Sequence, residues 1–279
     1  LIDAWGAFPL HKWLLGPVDN LRARSRVRRR LALVIIPATP HLGTELGLSS
    51  RALKRDYTRV YRDVYVLKGA EMTAVDKAVA AWLWSGRTAT MAGVSAAALM
   101  GSKWVDVKHP AEMFRRNGKP VKGIVIHRDE LLPDEHRCLG RIRVSTPART
   151  VFDVGRRPGR TLAVIRADAL ANATGVRPAS VETLMERHPG VRGLVHLREV
   201  VGVMDGGAES PQETRTRLLL IDAGLPRPQT QIRVDNWRVD MGYPEFKVGV
   251  EYDGEQHWTT PPNTRVTSTA WPVCWPEGG

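Results

Sequence analysis

Between Gln231 and Asp253 the chain concentrates residue types that could do chemistry. Lys247-Val248-Gly249-Val250-Glu251-Tyr252-Asp253 alternates with the period of a strand, which predicts Val248, Val250 and Tyr252 on the core side. Lys247, Gly249, Glu251 and Asp253 then share the other face. If that face packs against a helix, burying two carboxylates costs several kcal/mol unless a cation or donors compensate. A bound Mg²⁺ would compensate, because hard divalent ions take carboxylate oxygens and retain water. Asp240, in the neighbouring Arg238-Val239-Asp240-Met241, could complete the cluster. An ion held this way activates water and stabilises the charge that develops in phosphodiester hydrolysis. An exposed edge strand with solvated charges accounts for the same spacing without any chemistry.

The elements that must position these groups are legible around them. Gln231-Ile232-Arg233-Val234 and Arg238 to Met241 read as neighbouring strands, and Gly242-Tyr243-Pro244-Glu245 as the turn into the third. Ahead of them Ser210-Pro211-Gln212-Glu213 starts a helix, with Ser210 as cap, Pro211 in the first turn and Glu213 completing a capping box. Glu213 therefore has two open roles, helix cap or member of the acidic cluster. His257 is equally open between general acid/base and part of the Gly254 to Trp258 turn. Met204-Asp205-Gly206-Gly207-Ala208 reads as a flexible joint before this region.

Toward the front, Thr44 to Arg55 has the texture of a turn and second helix of a helix-turn-helix, with Gly47 in the turn. Leu53 faces inward there, while Arg51, Lys54 and Arg55 face out as candidate DNA contacts. Arg59 to Leu67 alternates like a β-hairpin in the position of a wing. A small αβ unit with a merely solvated basic face is the alternative. Amphipathic helices are expected at Thr73 to Ser85, about Val94 to Met100, from Thr146-Pro147, and at Leu162 to Ala173, Ser180 to Arg187 and Leu194 to Val203. Lys122 to Arg128 and Gly140 to Val144 read as strands, with Pro133-Asp134-Glu135 as turn material. His109, His127, His136, His188 and His196 stand alone, without a second ligand at helical spacing.

Length and composition bound the partners. The 279 residues suggest two domains, and 41 Lys+Arg against 29 Asp+Glu give a net charge of +12. A pI near 10.2 favours an anionic partner, nucleic acid first. No apolar run approaches a membrane span, so no membrane partner is expected. The two cysteines, Cys138 and Cys274, cannot build a disulfide framework or zinc cage, which points to a reducing, cytoplasmic setting. Residues 1–40, with six arginines between Arg22 and Arg30, read as a basic, poorly structured arm.

Taken together, Glu213, Leu225-Pro226, Gln229 or Gln231, Arg238-Val239-Asp240, Pro244-Glu245 and Val250-Glu251-Tyr252-Asp253-Gly254 with His257 resemble the endonuclease-like domain of the very-short-patch-repair type. That family belongs to the PD-(D/E)xK restriction-endonuclease-like superfamily. The front of the chain, about Leu46 to Arg149, resembles more loosely the antitoxins of abortive-infection type IV toxin–antitoxin systems. It includes Arg62-Asp63-Val64-Tyr65-Val66 and Ser95-Ala96-Ala97-Ala98-Leu99-Met100-Gly101. The resemblance implies an α+β or α/β chain: a winged-helix-like and helical region over 41–203, then an endonuclease-like core over 204–258, incomplete at its C-terminus. It implies a Mg²⁺-dependent DNA endonuclease, with Asp240 and Glu251 as metal ligands and Asp253 and Glu213 as further catalytic residues. DNA is the implied partner, with a cognate toxin as a second. The alternative it leaves is a non-catalytic DNA-binding regulator of antitoxin kind. Asp253 stands where the superfamily carries lysine and cannot supply that positive charge; Lys247, on the same strand face, is the candidate substitute.

After Trp258 the pattern departs. Relatives continue with a charged helix and a final strand, whereas 259–279 hold four prolines and two tryptophans, and interior proline costs a helix about 3 kcal/mol. The expectation is a shifted reading frame after Trp258, and also upstream of about residue 41; the start at Leu1 rather than Met reads as a fragment, a processed form or a non-standard start. Re-reading the coding DNA in the other frames should then restore an Arg/Asp-rich helix after Trp258.

Overall fold

The computed structural model describes residues 35–37, 50–116, 119–235 and 237–252. It is a mixed α+β chain whose contacts divide it into two compact units, Leu1–Leu99 with Val105–Thr146 and Met100–Trp104 with Pro147–Gly279. None of the described helices is long and apolar enough to cross a membrane.

The first unit begins with strand β1, Ile35–Pro37, which falls inside the stretch expected to be a poorly structured arm. Helix α1, Ser50–Asp56, leads directly into strand β2, Tyr57–Tyr61, and β3, Val64–Leu67. The sheet order is β1-β3-β2, all antiparallel, and the hairpin turns at Arg62-Asp63 with Asp63 in the left-handed region at φ 61°. Residues 44–49, expected to hold the turn before α1, lie outside the described residues. Tyr61 is buried at the hairpin end, its hydroxyl donates to the Gly123 carbonyl at 3.3 Å, and burial pushes that hydroxyl up to about 12.

Helix α2, Ala74–Trp84, starts where the sequence places it. Thr73 accepts the Asp76 backbone N–H, and the Asp76 carboxylate takes the Thr73 N–H at 2.7 Å, a complete capping box. The cap satisfies donors that the first turn leaves without helical partners. Thr73→Ala should lower stability by about 1 kcal/mol, read as a lower urea midpoint at unchanged slope. Helix α3, Gly93–Leu99, buries its alanines, and both helices accompany a five-stranded mixed sheet. Its strands are β4 Thr90–Met91, β5 Ala111–Phe114, β6 Ile124–His127, β7 His136–Leu139 and β8 Ile142–Ser145, in the order β6-β5-β4-β8-β7. The β5–β6 and β4–β8 pairs are parallel and the others antiparallel.

The second unit opens with four helices, α4 Pro147–Gly155, α5 Arg160–Thr174, α6 Pro178–Arg187 and α7 Leu194–Val203. Helix α8, Pro211–Asp222, follows, then the strands β9 Gln229–Val234, β10 Trp237–Tyr243 and β11 Val248–Val250, an antiparallel meander in the order β11-β10-β9. Ile232, Val234 and Val239 form a buried cluster on it.

The contact division falls at Thr146/Pro147. Within the second unit a buried network joins α5 to α8. Asp168 accepts from Arg217 at 2.5 Å, from the Thr214 hydroxyl at 2.8 Å and from the Asp205 backbone N–H at 2.7 Å. The stretch expected to be a flexible joint is therefore tied down. Met204 and Ala208 are buried, and Asn172 donates to the Gly206 carbonyl at 2.9 Å. Its glycines serve close approach rather than freedom: a Cβ on Gly207 would stand 2.1 Å from the Thr230 hydroxyl, and one on Gly206 3.2 Å from the Ala171 carbonyl carbon.

Candidate functional site

The meander of the second unit carries the candidate residues, and its register decides which of them meet. Val239 pairs with Ile232 and Met241 with Thr230, so Asp240 stands opposite Gln231. On the other side Met241 pairs with Val250, the last residue of β11, and Glu251 follows just after the strand. Direct cross-strand neighbours have Cβ atoms roughly 5 Å apart. Asp240 is half-buried, and its carboxylate accepts the backbone N–H of Tyr252 at 3.2 Å, which holds the segment after β11 against β10. Asp240 thus lies on β10, between β9, which carries Gln231, and the segment after β11, which carries Glu251.

Helix α8 brings a fourth group. Ser210 caps it, its side chain accepting the Glu213 N–H at 3.1 Å. The reciprocal half of the expected box is displaced by one residue: the Glu213 carboxylate takes the N–H of Glu209, at 2.9 Å, rather than that of Ser210. The same oxygen lies 3.4 Å from the Gln231 side-chain nitrogen, which donates to it. Glu213 is buried at 8 % exposure, so it caps the helix and meets Gln231 at once. Of the two roles left open by the sequence, the structure shows the capping one.

Gln231 departs from an ordinary strand residue in two ways. Its backbone sits in the left-handed region at φ 54°, and its side-chain oxygen is buried with no hydrogen-bond partner. A glutamine amide has a donor end and an acceptor end. Glu213, an acceptor, fixes the nitrogen on its own side and leaves Oε1 as the free acceptor. Gln229, the other candidate, is exposed at the start of β9.

Other expectations for the third strand are corrected. Val248, at 46 % exposure, and Tyr252, at 48 %, are not on a core side, because β11 is the outer strand of this sheet among the described residues. Lys247 is not a strand residue; it ends the short 3₁₀ turn Pro244–Phe246 with φ 53° and is exposed. It shares no strand face with Glu251. Glu251 is exposed, while Asp253 and His257 lie outside the described residues. Among the described residues no group of three His, Cys, Asp or Glu side chains is close enough to hold a metal ion.

Two arginines on β9 and β10 are visible only with the register in hand. Arg238 and Arg233 are direct partners across β9 and β10, and Arg238 also donates to Glu209 at 2.9 Å. Like charges opposite one another oppose pairing, and Glu209 relieves part of that repulsion.

In the first unit, the candidate DNA-contacting residues Arg51, Lys54 and Arg55 lie exposed on α1, within one face at 100° per residue, and Leu53 is half-buried. Arg55 is engaged: its guanidinium donates twice to Asp56, at 2.8 and 2.7 Å. That bond raises the Arg55 pKa and holds the Asp56 carboxyl below its ordinary range.

No family model matches the chain. Two uncharacterized proteins of Mycobacterium tuberculosis, from strains CDC 1551 and H37Rv, are each 30 % identical to it over 158 residues, 55 % of this chain. The matched stretch is 58 % of each relative, so the chain spans less than two thirds of the length of the curated relatives it matches.

Proposed function

We propose that this chain is a divalent-metal-dependent, DNA-binding endonuclease-like protein that hydrolyses phosphodiester bonds in a cytoplasmic setting. The observation that carries the reading is the bond from the Tyr252 N–H to the Asp240 carboxylate, which holds the segment bearing Glu251 beside β10. Two adjacent carboxylates repel one another, and a small hard cation relieves that repulsion. The donor set fits Mg²⁺, because Asp240, Glu251 and the unpartnered Gln231 Oε1 all offer oxygen. A helix against a three-stranded meander that bears the acidic pair also supports the restriction-endonuclease-like resemblance. When bound, the cation supplies a lowered pKa for a coordinated water and charge stabilisation on a phosphoryl group. The protein's own part is to hold the segment bearing Glu251 beside Asp240 and to orient Gln231 through Glu213. The test is nicking of supercoiled plasmid by the full chain with and without Mg²⁺. Nicking that EDTA abolishes supports the reading, and its absence with every divalent ion overturns it.

For targeting, α1 with the β2–β3 hairpin supports a winged-helix-like reading. Arg51 and Lys54 would contact phosphates, while the Arg55 charge is already shared with Asp56. Each phosphate contact contributes about −0.9 to the slope of log K against log salt. Arg51→Ala and Lys54→Ala should each flatten the slope by about that amount, and Arg55→Ala by less. Unchanged slopes in fluorescence-anisotropy titrations would remove α1 from the interface. A second reading, a non-catalytic DNA-binding regulator of antitoxin kind with a cognate toxin, draws on the exposure of Glu251 on an outer strand. It predicts the same salt slopes with no cleavage.

A further inference from the structure

We propose that the arginines gathered at one end of the five-stranded sheet form a DNA-contacting surface of their own, one that holds the phosphate backbone of a duplex. The inference rests on the DNA-binding reading above and deepens it by naming a surface other than α1 and the form of DNA it takes. Strand directions create the cluster. β4 and β5 are antiparallel, with Thr90 opposite Phe114, while β8 runs parallel to β4 and β6 parallel to β5. The start of β4, the end of β5 and the start of β8 therefore share one end of the sheet. That end collects Arg87, Arg115, Arg116, Arg141 and Arg143. The end of β6 adds Arg128 there, followed by Asp129 and Glu130, so basic residues outnumber acidic ones.

Side-chain contacts tie the arginines to the same place. Arg143 donates to the Thr88 carbonyl at 2.8 Å, next to Arg87. The Arg87 guanidinium carbon lies 5.9 Å from the Trp82 ring centroid and that of Arg115 5.4 Å from Trp84, both rings in the last turn of α2. Among the described residues none of the five arginines is ion-paired to a carboxylate. Rings and a carbonyl thus hold guanidinium groups without neutralising them. Cations complement the negative end of a helix, which accounts for Arg87 and Arg115 beside α2 but not for the exposed Arg116, Arg141 and Arg143. Like charges gathered without counter-charges repel one another, and a polyanion relieves that repulsion while releasing its own counterions. The tryptophans favour a duplex over a single strand. Trp82 is buried and Trp84 is half-buried with Arg115 over its ring, so this end offers charge but no open ring on which a splayed base could stack.

The experiment is fluorescence anisotropy of the full chain on a labelled duplex of about 20 base pairs and arbitrary sequence, with one strand alone as a second probe. Each phosphate contact contributes about −0.9 to the slope of log K against log salt. Arg116→Gln, Arg141→Gln and Arg143→Gln combined should flatten the duplex slope by about 2 to 3 and weaken binding at least ~10-fold near 0.1 M salt. Tm should hold, since the glutamine amide at 143 can still donate to the Thr88 carbonyl. Lysine at the same three positions keeps the charges and should keep the slope. If wild type binds the duplex and the glutamine variant matches its slope and affinity, the surface assigned to these arginines is wrong while the DNA-binding reading stands. Tighter binding of wild type to the single strand would overturn the assignment to duplex. If wild type binds neither probe at low salt, the DNA-binding reading itself fails.

Discussion

Asp240→Asn should abolish Mg²⁺-dependent nicking, at least ~100-fold, while leaving the fold intact and slightly raising its thermal stability. The two effects have a single cause. The Tyr252 N–H holds the segment bearing Glu251 beside Asp240, and two carboxylates brought to about 5 Å would repel by roughly 1 to 3 kcal/mol between the dielectric of water and that of a protein surface. Asparagine keeps an oxygen to accept the Tyr252 N–H, which Asp240 takes at 3.2 Å, so the local geometry survives. The like-charge repulsion disappears, and the charge that would hold the cation disappears with it. Glu251→Gln should behave alike, with a smaller stability gain because Glu251 is exposed. Plasmid nicking and differential scanning calorimetry on the same preparations check both halves. A variant that loses activity together with its Tm would point to a structural role instead.

The largest stability effect should come from the Asp168–Arg217 pair. Both side chains are fully buried, at 1 % and 0 % exposure, and their oxygen and nitrogen lie 2.5 Å apart. Arg217 also donates to the Val203 carbonyl, and Thr214 and the Asp205 N–H complete the carboxylate's partners. Burial nonetheless pushes the Asp168 carboxyl above its ordinary range, against the opposing pull of the Arg217 charge. Desolvation therefore outweighs attraction, and the pair is costly to break rather than strongly favourable to make. Asp168→Ala, which strands a buried guanidinium, should cost about 3–5 kcal/mol in urea unfolding.

Arg217→Met should cost a similar amount at neutral pH, with a defined pH dependence. Without Arg217 the folded-state pKa of Asp168 rises further above its unfolded value, so the folded state binds the extra proton. Stability of the variant then falls as pH rises through the folded pKa, and its deficit against wild type is smaller at about pH 5 than at about pH 8. A deficit independent of pH would mean that Asp168 is not the group left exposed to the change.

The parts of the fold that sequence reading reached are those governed by local rules. Thr73 and Asp76 specify the start of α2 through their own backbone donors, and Ser210 specifies that of α8. The strands around Ile232 and Val239 announce themselves by alternation, because one side of each is buried and the other is not. Strand β5 does not. All four of its residues are buried, so Ala111-Glu112-Met113-Phe114 shows no period of two. Its one polar residue, Glu112, is paid for by neighbours far along the chain: the Val94 N–H at 3.3 Å and His127 at 2.8 Å. The two-residue strand β4 is too short to carry a period at all.

The candidate site divides along the same line. Residue types and alternation were enough to single out Asp240 and Glu251, and a helix-start motif singled out Glu213, because each signal lies within a few consecutive residues. Which groups meet was a matter of register, and register depends on how separate strands pair. It removed Lys247 from the strand face and turned Val248 and Tyr252 outward. The pairing of Asp168 with Arg217, which spans 49 positions of sequence, ties α5 to α8 within the second unit. The sequence by itself determined the acidic chemistry on offer and the helix caps beside it. Only the tertiary structure decided that Gln231 meets Glu213 and that Asp240 takes the Tyr252 N–H, because hydrogen bonds between distant segments have no local signature.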